Sequence, residues 1–228
     1  MNLLQMAQRL HRESGRSGIG PASLVDLSKE QQRLVDYIAD AWTELQSRET
    51  DWRFMRKRKT ATLVAGQSSY TAADLAITDF GRWRPQGDDY QPNLYGAAAP
   101  DNYVRLDFMP LEQWRDNYVY STQPAGRPMD WSVDDDDSLL LGPAPDALDT
   151  YSLRIEYHRA PTVLVENSST PDIAPEFHMI LVWRALIEVG KMDNAPDVLS
   201  RATANFARYE DNLLARYARP LHFGAAIA

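Results

Sequence analysis

Tyr151-Ser152-Leu153-Arg154-Ile155-Glu156-Tyr157-His158 alternates apolar with polar side chains from end to end. A period of two marks a strand with one face buried and the other in water, and this is the clearest strand in the chain. Beyond the Ser-, Asn- and Pro-bearing linker 166–175 the pattern changes. From Phe177 to Val189 almost every position is apolar, and Glu176, Arg184, Glu188 and Lys191 mark one narrow polar stripe. A helix so apolar is central in its domain or buried against another subunit. A strand region that hands over to helix predicts an α+β fold with the two kinds of element segregated.

Upstream, residues 2–14 place Leu3, Ala7 and Leu10 on one face of a short helix. The stretch Gly15-Arg16-Ser17-Gly18-Ile19-Gly20-Pro21 stops it. A second helix starts at Ser28, which with Gln31 fits a capping box. It carries Leu34, Val35, Ile38, Ala41, Trp42 and Leu45 at helical spacing to about Arg48. Downstream, Asp193-Asn194-Ala195-Pro196 breaks the apolar helix. A last one follows, with Leu199, Ala202, Phe206, Tyr209, Leu213 and Tyr217 on its stripe, and ends before Pro220.

Between these ends lie short strands. Val104, Leu106 and Phe108 alternate with Arg105 and Asp107. Residues 131–141 form a hairpin whose tip is Asp134, Asp135, Asp136 and Asp137. A second hairpin is expected over 60–71, turning at Ala65-Gly66-Gln67. Leu111, Trp114 and Tyr118 suit one face of a short helix. The expected organisation is helical 1–52, β-rich 53–165, helical 166–219 and an apolar tail 220–228. The helical segments form a four-helix bundle carrying an inserted antiparallel sheet or sandwich.

The 228 residues are 44% hydrophobic and 25% charged, as in a soluble globular domain with a sizeable core. No apolar run is long enough for a membrane span, and the first residues lack the basic, then apolar, pattern of a signal peptide. Cysteine is absent, which removes disulfides, thiolate metal sites and Cys nucleophiles. Four His are widely spaced, so a His-rich metal centre is not expected. The net charge of −8 is uneven: +3 over 1–65, −9 over 66–160 and −2 over 161–228. Such acidity disfavours a grip on phosphate over the whole surface.

No hydrolase elbow, zinc-protease, P-loop or kinase signature occurs, so neither a catalytic residue nor a cofactor is assigned. The glycines at 15, 18 and 20 follow a helix, not a strand, and suit a helix stop better than a phosphate loop. The four aspartates at 134–137 could hold a divalent cation, but an EF-hand would need Gly where Leu139 stands and Glu where Pro145 stands. A solvated tip that resists edge pairing is the plainer reading; in a ring, the same charges would line a channel and repel DNA. Arg56, Lys57, Arg58 and Lys59, beside Trp52 and Phe54, fit an acidic protein partner, a single-stranded nucleic acid or plain solvation. His178, among apolar neighbours, is a packing residue with a hydrogen bond. The tail residues Leu221, Phe223 and Ile227 fold back, dock on a partner or stay disordered.

The ordered set of elements resembles head-to-tail adaptor proteins of tailed bacteriophages (head completion or neck proteins), the class that includes the tail tubular protein A type. The likeness covers most of the chain. It lies in two N-terminal helices leading into Asp51-Trp52-Arg53-Phe54, then Val64-Ala65-Gly66-Gln67-Ser68-Ser69-Tyr70 and Asp79-Phe80-Gly81-Arg82-Trp83. Gly126-Arg127-Pro128, Leu139-Leu140-Leu141-Gly142-Pro143-Ala144-Pro145 and Tyr157-His158-Arg159-Ala160-Pro161 follow, before the helical run 175–186.

The resemblance implies a ring, commonly twelvefold, beneath the portal protein. Such a ring lengthens the DNA channel and offers a platform to a tail or nozzle protein, without catalysis. The implied location is the virion neck, after assembly in the host cytoplasm, with no membrane. Leu221, Phe223 and Ile227, with residues 56–59, are the expected portal- or partner-binding groups, and residues 134–137 the channel-lining ones. Two other readings stand beside it: another tail-completion protein, or a ligand- or glycan-binding β module using exposed Trp83, Tyr90 and Tyr95. An enzyme built on an acidic pair such as Asp88 and Asp89 is the remaining possibility.

Overall fold

The computed structural model describes residues 1–218 except 19, 50, 85–89 and 98. In chain order the elements are α1 (Leu3–Glu13), α2 (Lys29–Arg48), β1 (Arg56–Thr62), β2 (Ser69–Tyr70), β3 (Phe80–Trp83), β4 (Asn93–Gly96), β5 (Ala99–Arg105), β6 (Asp107–Phe108), α3 (Leu111–Tyr118), β7 (Asp130–Val133), β8 (Leu139–Gly142), β9 (Tyr151–Arg159), α4 (Met179–Met192) and α5 (Pro196–Tyr217). The fold is α+β. The chain divides into two compact units, one of Met1–Phe54 with Pro161–Ala228, the other of Met55–Ala160.

In the first unit, side-chain caps set where the first two helices begin. Asn2 caps α1 in a capping box with Gln5, and Ser28 caps α2 in one with Gln31. Each box covers backbone N–H groups that the first turn leaves unpaired. Gly15, Gly18 and Gly20 all adopt positive φ after α1, whose C-cap is Ser14. Helix α4 packs on α1, α2 and α5. Its Ile180, Leu181, Val182, Leu186 and Val189 are at most 1% exposed, and burying each contributes about 2 kcal/mol before ordering entropy is set against it. The apolar helix is therefore covered by its own unit and needs no neighbouring subunit to bury it. His178, just before it, is buried, with Nε2 3.0 Å from the Ile173 carbonyl. Burial holds its imidazole below the usual value.

In the second unit two sheets share one apolar core. One sheet runs β1-β9-β4-β5 with β3 also on β9; the other runs β2-β8-β7-β6. Leu63, Trp83, Leu94, Leu153, Ile155 and Tyr157 from the first sheet and its margins meet Tyr70, Trp131, Leu139 and Leu141 from the second. The alternation is realised in β9 as far as Tyr157, with Leu153 and Ile155 buried and Arg154 exposed, whereas His158, expected on the watered face, is buried. β7 and β8 form the expected hairpin, Trp131 opposite Leu141.

Three expectations change. Residues 60–71 are not a hairpin: β1 pairs with β9 and β2 with β8, in different sheets. Alternation over 104–108 is not one strand, because the chain leaves β5 at Arg105, buries Leu106, and starts β6 in the other sheet. Nor are the sheets wholly antiparallel, since β6 pairs with β7 in parallel, Asp107 opposite Asp130. Alternation carries no information on the partner strand, and in 104–108 it failed for the face as well, since Leu106 is buried but Phe108 is exposed.

Candidate functional site

The basic run at 56–59 lies on β1, at one end of its sheet's strand order, and pleating divides it. Lys57 and Lys59 share the core side with Ala61. Lys57 Nζ reaches Asp79 Oδ2 at 2.5 Å, and Lys59 Nζ donates to the Ala76 carbonyl at 2.9 Å. Arg56 and Arg58 lie on the opposite, outer face, in register with His158 and Glu156. The four do not form one patch. Trp52 and Phe54 are no stacking platform either: Trp52 is 1% exposed and donates from Nε1 to the Leu45 carbonyl at 2.8 Å. Phe54 packs against the Trp42, Trp52 and Tyr217 rings. Of these two aromatics, Trp52 is a core residue of the helical unit and Phe54 is half-buried against it.

At the acidic turn, Asp134 N–H donates to the Ser138 carbonyl and Asp137 takes positive φ. Arg115 of α3 donates to Asp134 Oδ1 at 2.9 Å, Asp135 Oδ2 at 3.1 Å and Glu112 Oε1 at 3.0 Å. Asp136 Oδ1 accepts from Ser138 N–H, which holds that carboxyl below the usual value. Trp83 Nε1 donates to the Asp137 carbonyl at 2.7 Å. The turn is thus a fixed object, and Asp135, Asp136 and Asp137 remain exposed. Among the described residues no three His, Asp or Glu converge as metal ligands. The tail residues Leu221, Phe223 and Ile227, and Asp88 with Asp89, lie outside the described residues.

The aromatics proposed for a glycan site are not exposed in loops. Trp83 and Tyr90 are buried, and the Tyr90 hydroxyl accepts from Glu156 N–H at 2.6 Å. Tyr95 lies half-buried under the Arg154 guanidinium.

A larger feature escaped sequence reasoning. On the outer face of the β1-β9-β4-β5 sheet, cross-strand register brings together residues scattered from 58 to 154. Arg58 stands beside Glu156, and the next row reads Thr60, Arg154, Asn93, Arg105. The row after that reads Thr62, Ser152, Tyr95, Tyr103, while Arg82 of β3 stands opposite His158. Arg58 Nη2 and Arg84 Nη1 both donate to the Glu156 carboxylate, at 2.6 and 2.5 Å. Burial alone would raise that carboxyl, but the two guanidiniums outweigh it and hold it below the usual value. Only the alternation in β9 hinted at this face.

The sequence matches the model of the SU10 adaptor protein family over residues 1–224, so the chain belongs to that family. It is a phage head-to-tail adaptor, a structural component of the virion. Portal and tail proteins are the partners at the level of the family. No curated protein matches the sequence. No helix among the described residues is long and apolar enough to cross a membrane.

Proposed function

We propose that copies of this chain close into a ring, twelvefold as in the tail tubular protein A type, beneath the portal protein. The ring extends the DNA channel and presents a platform to a tail or nozzle protein, and the chain makes and breaks no bond. The observation that carries this reading is the family match over residues 1–224, which spans both the helical and the β unit. In this reading the four helices α1, α2, α4 and α5 act as one bundle, with the β unit as its insertion. The fixed, exposed turn at 134–137 faces the lumen, where like charge keeps duplex DNA from adhering during ejection. Leu221, Phe223 and Ile227, with Arg56, Lys57, Arg58 and Lys59, contact the portal or the next partner.

Reconstruction of the neck of assembled particles tests it. A ring of this chain between portal and tail is the expected density; finding the chain elsewhere in the virion overturns the reading. Removal of residues 220–228 tests the tail assignment separately. Portal co-assembly is expected to fall, and undiminished binding overturns that assignment.

A further inference from the structure

The outer face of the β1-β9-β4-β5 sheet is the opposite in charge of the unit that carries it. Over residues 55–160 the chain is net −5, yet this face presents Arg58, Arg82, Arg105 and Arg154, with Arg84 buried beside them. Glu156 is the carboxylate at its centre, already taken by Arg58 and Arg84, and Asp101 stands beyond Tyr103 on β5. Arg82, Arg105 and Arg154 are exposed and make no ion pair among the described residues. Tyr103 is 55% exposed, and Arg154 rests over the Tyr95 ring, 5.7 Å from its centroid. Planar guanidiniums beside tyrosines, threonines and an asparagine on a pleated surface suit carboxylates: the fork matches two oxygens, and the rings add contact area at small entropic cost.

The same unit carries a surface of the complementary kind. Glu112 and Asp116, one turn apart on α3, are exposed, as is Asp107 of β6. α3 packs on β7 and β6 pairs with β7, so these carboxylates belong to the second sheet's layer. The sheets meet through their apolar faces, so the arginine face looks away from that layer. The two surfaces are complementary in charge.

We propose that the arginine face docks the acidic flank of a second copy, Arg105 and Arg154 meeting Glu112 and Asp116. This rests on the ring reading above and deepens it by naming the surfaces. A contact between two different surfaces is heterologous, the kind that closes into a ring by rotation. Every copy brings both surfaces. A nucleic acid would gain the same arginines but meet the repulsion of a chain at −8 beyond them.

Charge reversal tests it on the full chain, by sedimentation alone and with portal protein added to nucleate assembly. R105E/R154E is expected to weaken self-association roughly tenfold or more, as is E112K/D116R. Mixing the two variants offers two attractive contacts, the native pair and its charge-reversed counterpart, and is expected to recover heterotypic association. Circular dichroism checks that each variant is folded. Undiminished rings from R105E/R154E overturn the proposal and leave the ring reading standing. Absence of any oligomer from the unmutated chain, with or without portal, overturns both. Retention of a DNA oligonucleotide that R105E/R154E abolishes, with self-association unchanged, assigns the face to nucleic acid and overturns the proposal.

Discussion

Gln46 pairs with Thr162 as a strand would. Its Nε2 donates to the Thr162 carbonyl at 2.8 Å, and its Oε1 accepts from the Thr162 N–H at 2.9 Å. Gln46 is 3% exposed, and Trp42, one turn earlier on α2, donates from Nε1 to Thr162 Oγ1 at 3.2 Å. A side-chain amide thus takes the place of a ladder partner where the chain re-enters the helical unit. Gln46→Leu keeps the volume but orphans a backbone donor and acceptor. The expected loss is about 2–3 kcal/mol, read as a lower urea midpoint at unchanged slope.

Gly190 sets how close α5 approaches α4. A Cβ there would lie 3.1 Å from both Cα and N of Leu199, which are backbone atoms and cannot rotate aside. Gly190→Ala gains about 1 kcal/mol of helix propensity, but the overpacking is expected to exceed it, for a net loss of about 1–2 kcal/mol. A lowered thermal midpoint for this variant bears the steric account out; a raised one refutes it.

Tyr157 and Asp79 make the β unit sensitive to pH at both extremes. The Tyr157 hydroxyl donates to Asp79 Oδ1 at 2.7 Å while Lys57 holds the other oxygen. Burial first, then Asp79, pushes the phenol up to about 12. The Lys57 hydrogen bond, aided by Tyr157, holds the Asp79 carboxyl below its usual value. A raised phenol supports the fold fully below its unfolded value of about 10, and that support fades as pH climbs through about 12. A depressed carboxyl works the other way: its support is present above the ordinary Asp value and is lost as pH falls through the folded one. Ultraviolet titration should show the Tyr157 phenolate appearing earlier in Asp79→Asn, since burial alone then remains to delay it.

Arg184 ties α4 to α2. Its Nε donates to Glu44 Oε2 at 2.8 Å and its Nη1 to Glu188 Oε1 at 2.6 Å. The i,i+4 pairing with Glu188 follows from helical spacing, whereas the bond to Glu44 needs the two helices side by side. A double-mutant cycle on Arg184 and Glu44 should give a coupling of about 0.5–1 kcal/mol, reduced by salt. Arg184→Lys, with one ammonium in place of a fork, should keep less than half of it.

Local signals in the sequence were legible because the chemistry behind them is local. Ser28 and Gln31 are three residues apart, and their box forms whatever α2 packs against. The 134–137 turn joins strands adjacent in sequence. What stayed hidden depends on pairing at a distance. Nothing near Lys59 says that its opposite number is Ile155, and nothing near Ser69 assigns it to Leu140. The arginine face is the extreme case. Arg58, Arg105 and Arg154 each look like ordinary solvated charges, and only the register of three strand pairs gathers them. Trp52 misled for a related reason: beside a basic run it resembled a ligand platform, but the chain turns its ring inward before β1 begins.

β1 and β9, the first and last strands of the β unit, are zipped together from Arg56 opposite His158 to Thr62 opposite Ser152. The unit therefore begins and ends at one seam. Residues can be gained or lost at its far turns without altering the spacing at which the helices receive the chain back. Under selection to fit new neighbours, such a cassette can diversify while the helical unit is inherited almost unchanged.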